Sequence, residues 1–234
     1  MRQVDRKSIQ ELGIPEMVLM ENAGKAVVEF LQEQFKELDK KSITIIAGTG
    51  NNGGDALVAA RYLHCMGIAV KVFIYGEREL SPSAQQNYEI LSRLPVKIYW
   101  LDSENSMHLF KVTVNYSDIL LDGLLGTGIN RDVSGRAEQI IDIVNRRSCI
   151  KVAIDIPSGL NGDNGEIWGR CLKADYTVAL AQPKRGHMLS KGVKYCGKLV
   201  IKDIGIPEEI YEELGLNCQI IDDTYRQVWK EPRS

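Results

Sequence analysis

Residues 43–48, ITIIAG, form an almost unbroken apolar run rich in β-branched side chains. A run of that kind suits a strand covered on both faces, as strands are inside a parallel sheet. Similar runs recur at 70–75, 119–122 and 150–154, and helical stretches lie between them at 55–66, 81–94 and 136–147. Strands that alternate with helices of this length mean βαβ units. Two helices precede the first strand. One spans 3–13 and closes at Gly13; the other opens at Pro15 and runs to about residue 38. In the second, Met17, Met20, Ala23, Val27, Phe30 and Leu31 recur at helical spacing, which makes the two methionines core residues. Short strands are expected at 97–101, 176–180, 198–201 and 218–221, and a short helix after Pro207. Ser81 or Ser83 is the candidate cap of the 81–94 helix. Residues 156–172 are polar and glycine-rich, hence a long loop. The expectation is one doubly wound α/β domain over 1–234, a mostly parallel sheet with helices on both faces in three layers. The last third reads as a less regular edge, with 217–234 an edge strand and tail, or a severed linker.

Composition narrows the functional classes. The chain has 234 residues, is 44% hydrophobic and carries a formal charge of −2. No basic surplus exists to neutralise a nucleic-acid backbone. Five cysteines, Cys65, Cys149, Cys171, Cys196 and Cys218, are odd in number and scattered. They suggest core filling in a reducing compartment rather than disulfides. His64, His108 and His187 sit at no metal-ligand spacing from them, which disfavours zinc. MRQVDRKSIQ lacks the apolar core of a signal peptide, and no apolar run reaches membrane-spanning length, so the cytoplasm is the expected location.

Ligands of open α/β sheets bind beyond the carboxyl ends of the strands. Three strands end there in glycines with small polar or acidic residues: Gly48 to Asp55 (GTGNNGGD), Asp122 to Asp132 (DGLLGTGINRD) and Asp155 to Gly159 (DIPSG). Glycines let backbone amides approach a phosphate closely. The first loop satisfies GxGxxG at Gly48, Gly50 and Gly53, and Glu77 stands about where a ribose-binding acid would. Alone, that pattern fits a plain strand-to-helix turn equally well. Asp55 also sits where it would repel a pyrophosphate. Asn52, Asp122 and Ser158 carry hard oxygens that could hold a cation, although Asp122 and Asp155 could simply accept backbone hydrogen bonds. Asp155, at the end of a buried strand, suits a general acid or base, or a structural strand-end carboxylate. Lys184, in AQPKRG, could pair with Asp155, bind a phosphate or sit in solvent.

MENAG at 20–24, GTGNNGGDALVAAR at 48–61, LLDGLLGTG at 120–128 and AIDIPSGLNGDNG at 153–165 together resemble the YjeF N-terminal family, the NAD(P)H-hydrate epimerases. The resemblance covers the chain from its first helix to about residue 206. It implies a Rossmann-like fold and metabolite repair: interconversion of the R and S forms of NADHX and NADPHX, the C6-hydrated reduced nicotinamide nucleotides. An ADP- or ATP-dependent dehydratase, fused in many bacteria, would then restore NAD(P)H. By motif position, Asn51, Asn52, Gly53, Gly54 and Asp55 would line the substrate, as would Gly126, Thr127, Gly128, Ile129, Asn130, Arg131 and Asp132. Asp155 would contact it as acid/base. Asn52, Asp122 and Ser158 would coordinate one potassium ion per subunit, and a homodimer is the implied assembly. Ala56 stands where the family frequently has glycine, and AQPKRG is a loose version of its Lys-Gly turn, which leaves Lys184 the weakest member. Two rivals come from other classes. One is an NAD(P)-dependent oxidoreductase, suggested by GxGxxG and Glu77; the other is a non-catalytic nucleotide-binding module.

Overall fold

In a computed structural model, the described residues are 2–189, 191–216, 218–220 and 227–229. The chain runs α1 (Arg2–Gln10), α2 (Glu16–Gln34), β1 (Ile43–Ala47), α3 (Asn51–Cys65), β2 (Val70–Ile74), α4 (Pro82–Ser92), β3 (Lys97–Trp100), α5 (Glu104–Asn115), β4 (Ile119–Gly123), α6 (Gly135–Asn145) and β5 (Ile150–Ile154). Then come β6 (Tyr176–Leu180), α7 (Arg185–Met188), α8 (Gly192–Tyr195), β7 (Lys198–Lys202), α9 (Glu208–Glu213), β8 (Cys218–Ile220) and β9 (Gln227–Trp229). Seven strands form one sheet in the order β3-β2-β1-β4-β5-β6-β7, and every pair is parallel. The expected Rossmann-like three-layer arrangement is therefore present. β8 pairs antiparallel with β9 in a separate sheet rather than along the edge of the large one. The rest of the expected 217–234 tail lies outside the described residues.

The alternation of side chains explains why both faces are covered. Ile43, Ile45 and Ala47 of β1 join Val27, Phe30, Leu57 and Ala60 in one core. Ile46 points the other way and joins Phe73, Phe110 and Ile140 in a second. Each fully buried aliphatic or aromatic side chain contributes roughly 1.5–3 kcal/mol, so neither face can be left bare. Two aromatic contacts of Phe73 tie the second core together: its ring lies 5.2 Å from Tyr99 and 5.1 Å from Phe110. Cys65, Cys149, Cys171 and Cys196 are free, and the last three of these are buried. Among the described residues no helix is long and apolar enough to cross a membrane.

Several local expectations shift. α2 stops at Gln34, four residues early. Phe35 turns its ring onto Phe30 and Tyr176, and Glu37 adopts φ +53°, which no α-helix can pass through. The region 104–115, for which the sequence reading expects no element, is α5: Ser103 accepts from Ser106 N–H in a reciprocal capping box, and Met107, Phe110 and Val114 face inward. Ser81 stands at the start of α4 but makes no side-chain cap bond. β6 follows β5 through the long loop, in which Leu160 and Ile167 form an isolated bridge.

α3 begins at Asn51, four residues earlier than glycine propensity suggests. Packing overrides propensity here. A methyl group on Gly53 would run into the carbonyl oxygen of Gly48, and one on Gly48 into that of Leu124. These two glycines let the first turn of α3 settle directly onto the ends of β1 and β4. Gly50, in contrast, has a φ of −91°, and a methyl group added to it would meet no atom within 4 Å. The middle glycine of GxGxxG is therefore not required sterically. Gly53→Ala should cost about 1–3 kcal/mol through overpacking, while Gly50→Ala should stay within about 0.5 kcal/mol of wild type. Urea unfolding of the two variants checks this; equal midpoints would contradict the packing account.

Candidate functional site

β1 has β2 on one side and β4 on the other, so the loops leaving β1 and β4 diverge toward opposite edges. A crevice opens between them at the carboxyl ends of the strands. It holds a cavity of about 980 Å³. Asn51, Asn52, Gly53 and Asp55 line it from the first loop and the start of α3; Gly126, Thr127, Gly128, Ile129, Asn130 and Arg131 line it from the second; Asp155 reaches it from the third. Gly54 and Asp132 are off the lining. Gly54 packs against α2, where a methyl would come within 2.5 Å of Met20 Sδ, and Asp132 is exposed.

Beneath the cavity floor, one chain of hydrogen bonds joins the three candidate cation ligands. Asp122 is fully buried. Its Oδ1 accepts from Ser158 Oγ at 2.6 Å and Leu124 N–H at 3.2 Å, and its Oδ2 accepts from Ser158 N–H at 2.8 Å. Leu125 N–H donates to Ser158 Oγ at 2.8 Å, and Asn52 Nδ2 donates to Leu125 O at 3.1 Å. Burial pushes Asp122 up to about 6, against the pull of those hydrogen bonds. The Asn52 Oδ1 is buried and has no partner. An orphaned amide oxygen and a dry carboxylate joined by one chain of hydrogen bonds are oxygen donors of the kind that suit a hard cation.

Asp155 has φ +65°, and Ile156 N–H donates to Ile154 O at 2.7 Å across it. The three-residue turn lifts the carboxyl off the strand end. The neighbouring strand repeats the device: Ala181 has φ +64°, and Gln182 N–H donates to Leu180 O at 2.8 Å. Lys184, buried, donates from Nζ to Asp155 Oδ1 and to Leu180 O at 2.9 Å, while Leu180 N–H donates to the same Asp155 oxygen at 3.1 Å. Of the three readings open for Lys184, pairing with Asp155 is the one found. The Lys184 N–H donates to His187 Nδ1 at 3.2 Å, and burial first, then the Lys184 charge, pushes that imidazole down to about 4.

The N-terminal helices supply what sequence reasoning missed. They do more than pack on the sheet: Asp5 and Ile9 of α1 and Glu16, Leu19 and Met20 of α2 wall the cavity. Glu16 is fixed by Asn51 Nδ2 at 2.7 Å and Ser83 Oγ at 2.9 Å. Burial raises Asp5, and raises Asp55 well above the ordinary carboxylate range, with the charges of Asp155 and Asp5 adding to the effect on Asp55. One signal was present, an acid set beside the inward residues Val4 and Ser8 of α1. The site thus holds one acid paired with a buried lysine, Asp155, and a second, Asp55, that burial biases toward its protonated form.

A family profile described as YjeF-related protein N-terminus matches residues 16–186. An NAD(P)H-hydrate epimerase of Lentilactobacillus buchneri is 38% identical over 205 residues, 88% of this chain and 91% of that protein. A bifunctional NAD(P)H-hydrate repair enzyme Nnr of Moorella thermoacetica is 36% identical over 223 residues, 94% of this chain. The chain spans only 42% of that bifunctional relative. The crystal structure of yeast ynu0 superposes with a TM-score of 0.77 over 98% of this chain and 96% of that one, at 23% identity, which bears on the fold alone. With the profile covering most of its length and relatives of this identity along nearly all of it, the chain belongs to the YjeF N-terminal family.

Proposed function

We propose that this chain interconverts the R and S epimers of NADHX and NADPHX in the cytoplasm. It would act as a homodimer that supplies an ADP- or ATP-dependent dehydratase. The observation that carries the reading is the Asp155–Lys184 pair, lifted by a tight turn into a cavity large enough for a dinucleotide. The names of the relatives support the substrate class.

The chemistry follows from the hydrate itself. C6 carries a hydroxyl beside the ring nitrogen, so it is a carbinolamine. Protonation of that hydroxyl lets the nitrogen lone pair expel it as water, leaving a planar cationic iminium. Water adds to the other face and returns a proton, giving the opposite epimer with no redox change. Asp155 is the group to give and retrieve that proton. Its Oδ1 is held by Leu180 N–H and Lys184, so Oδ2 is the oxygen that meets the ligand. The same carboxylate stabilises the cation, in a cavity that α1 and α2 help to wall. Asn52, Asp122 and Ser158 would hold a potassium ion, the orphaned Asn52 Oδ1 being the feature that favours it. When bound, it would balance the buried charge of Asp122 and tie the three loops.

Asp155→Asn should fold and bind nucleotide, with a lowered melting temperature because the buried Lys184 loses its carboxylate partner, and lose about 10²–10⁴ in epimerisation rate. Incubation with pure R-NADHX and chromatographic separation of the epimers measures this; wild-type turnover in the variant would remove Asp155 from the role. Potassium should raise the melting temperature relative to a bulky organic cation at equal ionic strength, and Asp122→Ala should abolish the difference. Identical melting curves in the two salts would count against a specific ion site.

A further inference from the structure

The cavity is unevenly charged. Asp5, Glu16, Asp55, Glu77, Glu79 and Asp155 line it, and among the described residues only Arg131 and Lys184 oppose them there. Lys184 is already committed to Asp155. Two of the acids stand apart from the rest. Glu77 and Glu79 are exposed and lie on the loop after β2, at the far end of the cavity from Asp155. Arg78, between them in sequence, is turned away. Its guanidinium donates to Asp102 at 2.6 Å and lies 5.2 Å over the Trp100 ring, outside the lining. The loop is pinned in that presentation. Ser81 N–H donates to Thr49 O at 2.8 Å, and Gly76, at φ +141°, presses against the Thr49 side chain, where a methyl would come within 2.7 Å.

Strand order sets the distance between the two ends. From β5 to β2 there are three steps across the sheet, through β4 and β1. At about 4.8 Å per step, the ends lie roughly 14 Å apart. A dinucleotide with its hydrated ring at Asp155 and its pyrophosphate over the β1–β4 crevice brings its adenosine ribose to the end of β2. An acid at that position accepts hydrogen bonds from a free 2′-hydroxyl, whereas a 2′-phosphate needs a nearby arginine. Here the acids face the cavity and the arginine does not.

We infer that Glu77, with Glu79 beside it, makes this site select the nucleotide with a free 2′-hydroxyl, NADHX over NADPHX. The inference rests on the proposed function for its substrate class. Glu77 accepts from the ribose hydroxyls. A 2′-phosphate, carrying nearly two negative charges, meets two carboxylates and, among the described lining residues, no cation at that end. Arg131 comes from the loop after β4, beside the crevice, and serves the pyrophosphate that both nucleotides share, so it favours neither.

The test uses the stable reduced dinucleotides NADH and NADPH as probes in calorimetric titration, at low and at physiological salt. NADH should bind about tenfold more tightly at low salt, and the ratio should shrink as salt rises. Glu77→Gln/Glu79→Gln, both at exposed positions, should bring the ratio close to one, and Glu77→Arg should reverse it. Equal affinities in the wild type, binding of neither probe, or a preference untouched in the double variant overturns the inference. Epimerisation of R-NADHX is followed separately. Its absence alongside the binding preference would sink the proposed activity and leave this selectivity standing.

Discussion

A carboxylate with no access to water holds the three loops of the site in one frame. Asp122 accepts from Ser158 twice and from Leu124 once, so the loop after β5 hangs from the carboxyl end of β4. Leu125 extends the chain of bonds to Asn52 at the start of α3. Burying a charge is costly, and each hydrogen bond offsets part of that cost. Removing one partner would leave the others desolvated and unpaired. The loops are therefore coupled: none can move far without breaking bonds made to another. Close approach of Gly53 to Gly48 adds a steric lock to the same frame.

The sheet was legible because its strands are buried on both faces, which leaves them few polar residues, as in 43–48. The parallel sense of the strands followed from the helices between them, whereas their order emerged only in the fold. α5 was hidden because its cap is Ser103 with Ser106 rather than the usual acid or amide at the third position, and because Ser, His, Lys and Thr dilute its apolar stripe. The start of α3 was obscured for the opposite reason. Local preference against glycine is real, but tertiary packing of Gly53 and Gly54 decides the outcome.

The three loops of the candidate site were readable because glycine and acid at a strand end have little structural use in a sheet that only packs helices. The family resemblance singled out the same segments. Asp5 and Glu16 were not readable. Their place in the wall depends on how α1 and α2 fold back over the sheet edge, a long-range closure that no local pattern encodes. Lys184 lay between these cases. A basic residue after β6 was visible, but its burial beside Asp155 depends on the tight turn at Ala181 that bends the chain back.

The paired turns at Asp155 and Ala181 have a consequence for anyone who tries to harden this protein. A non-glycine residue at positive φ costs about 1–3 kcal/mol, and here two such residues close adjacent strands. Glycine would relieve that strain at both positions, yet the two exchanges differ in what they remove. At position 181 it would relieve strain and delete no more than a methyl group. At position 155 it would erase the carboxyl that faces the cavity. It would also leave the buried Lys184 without its carboxylate, so the strained turn at 155 is held in place by the ion pair it makes possible, while the one at 181 is open to relief.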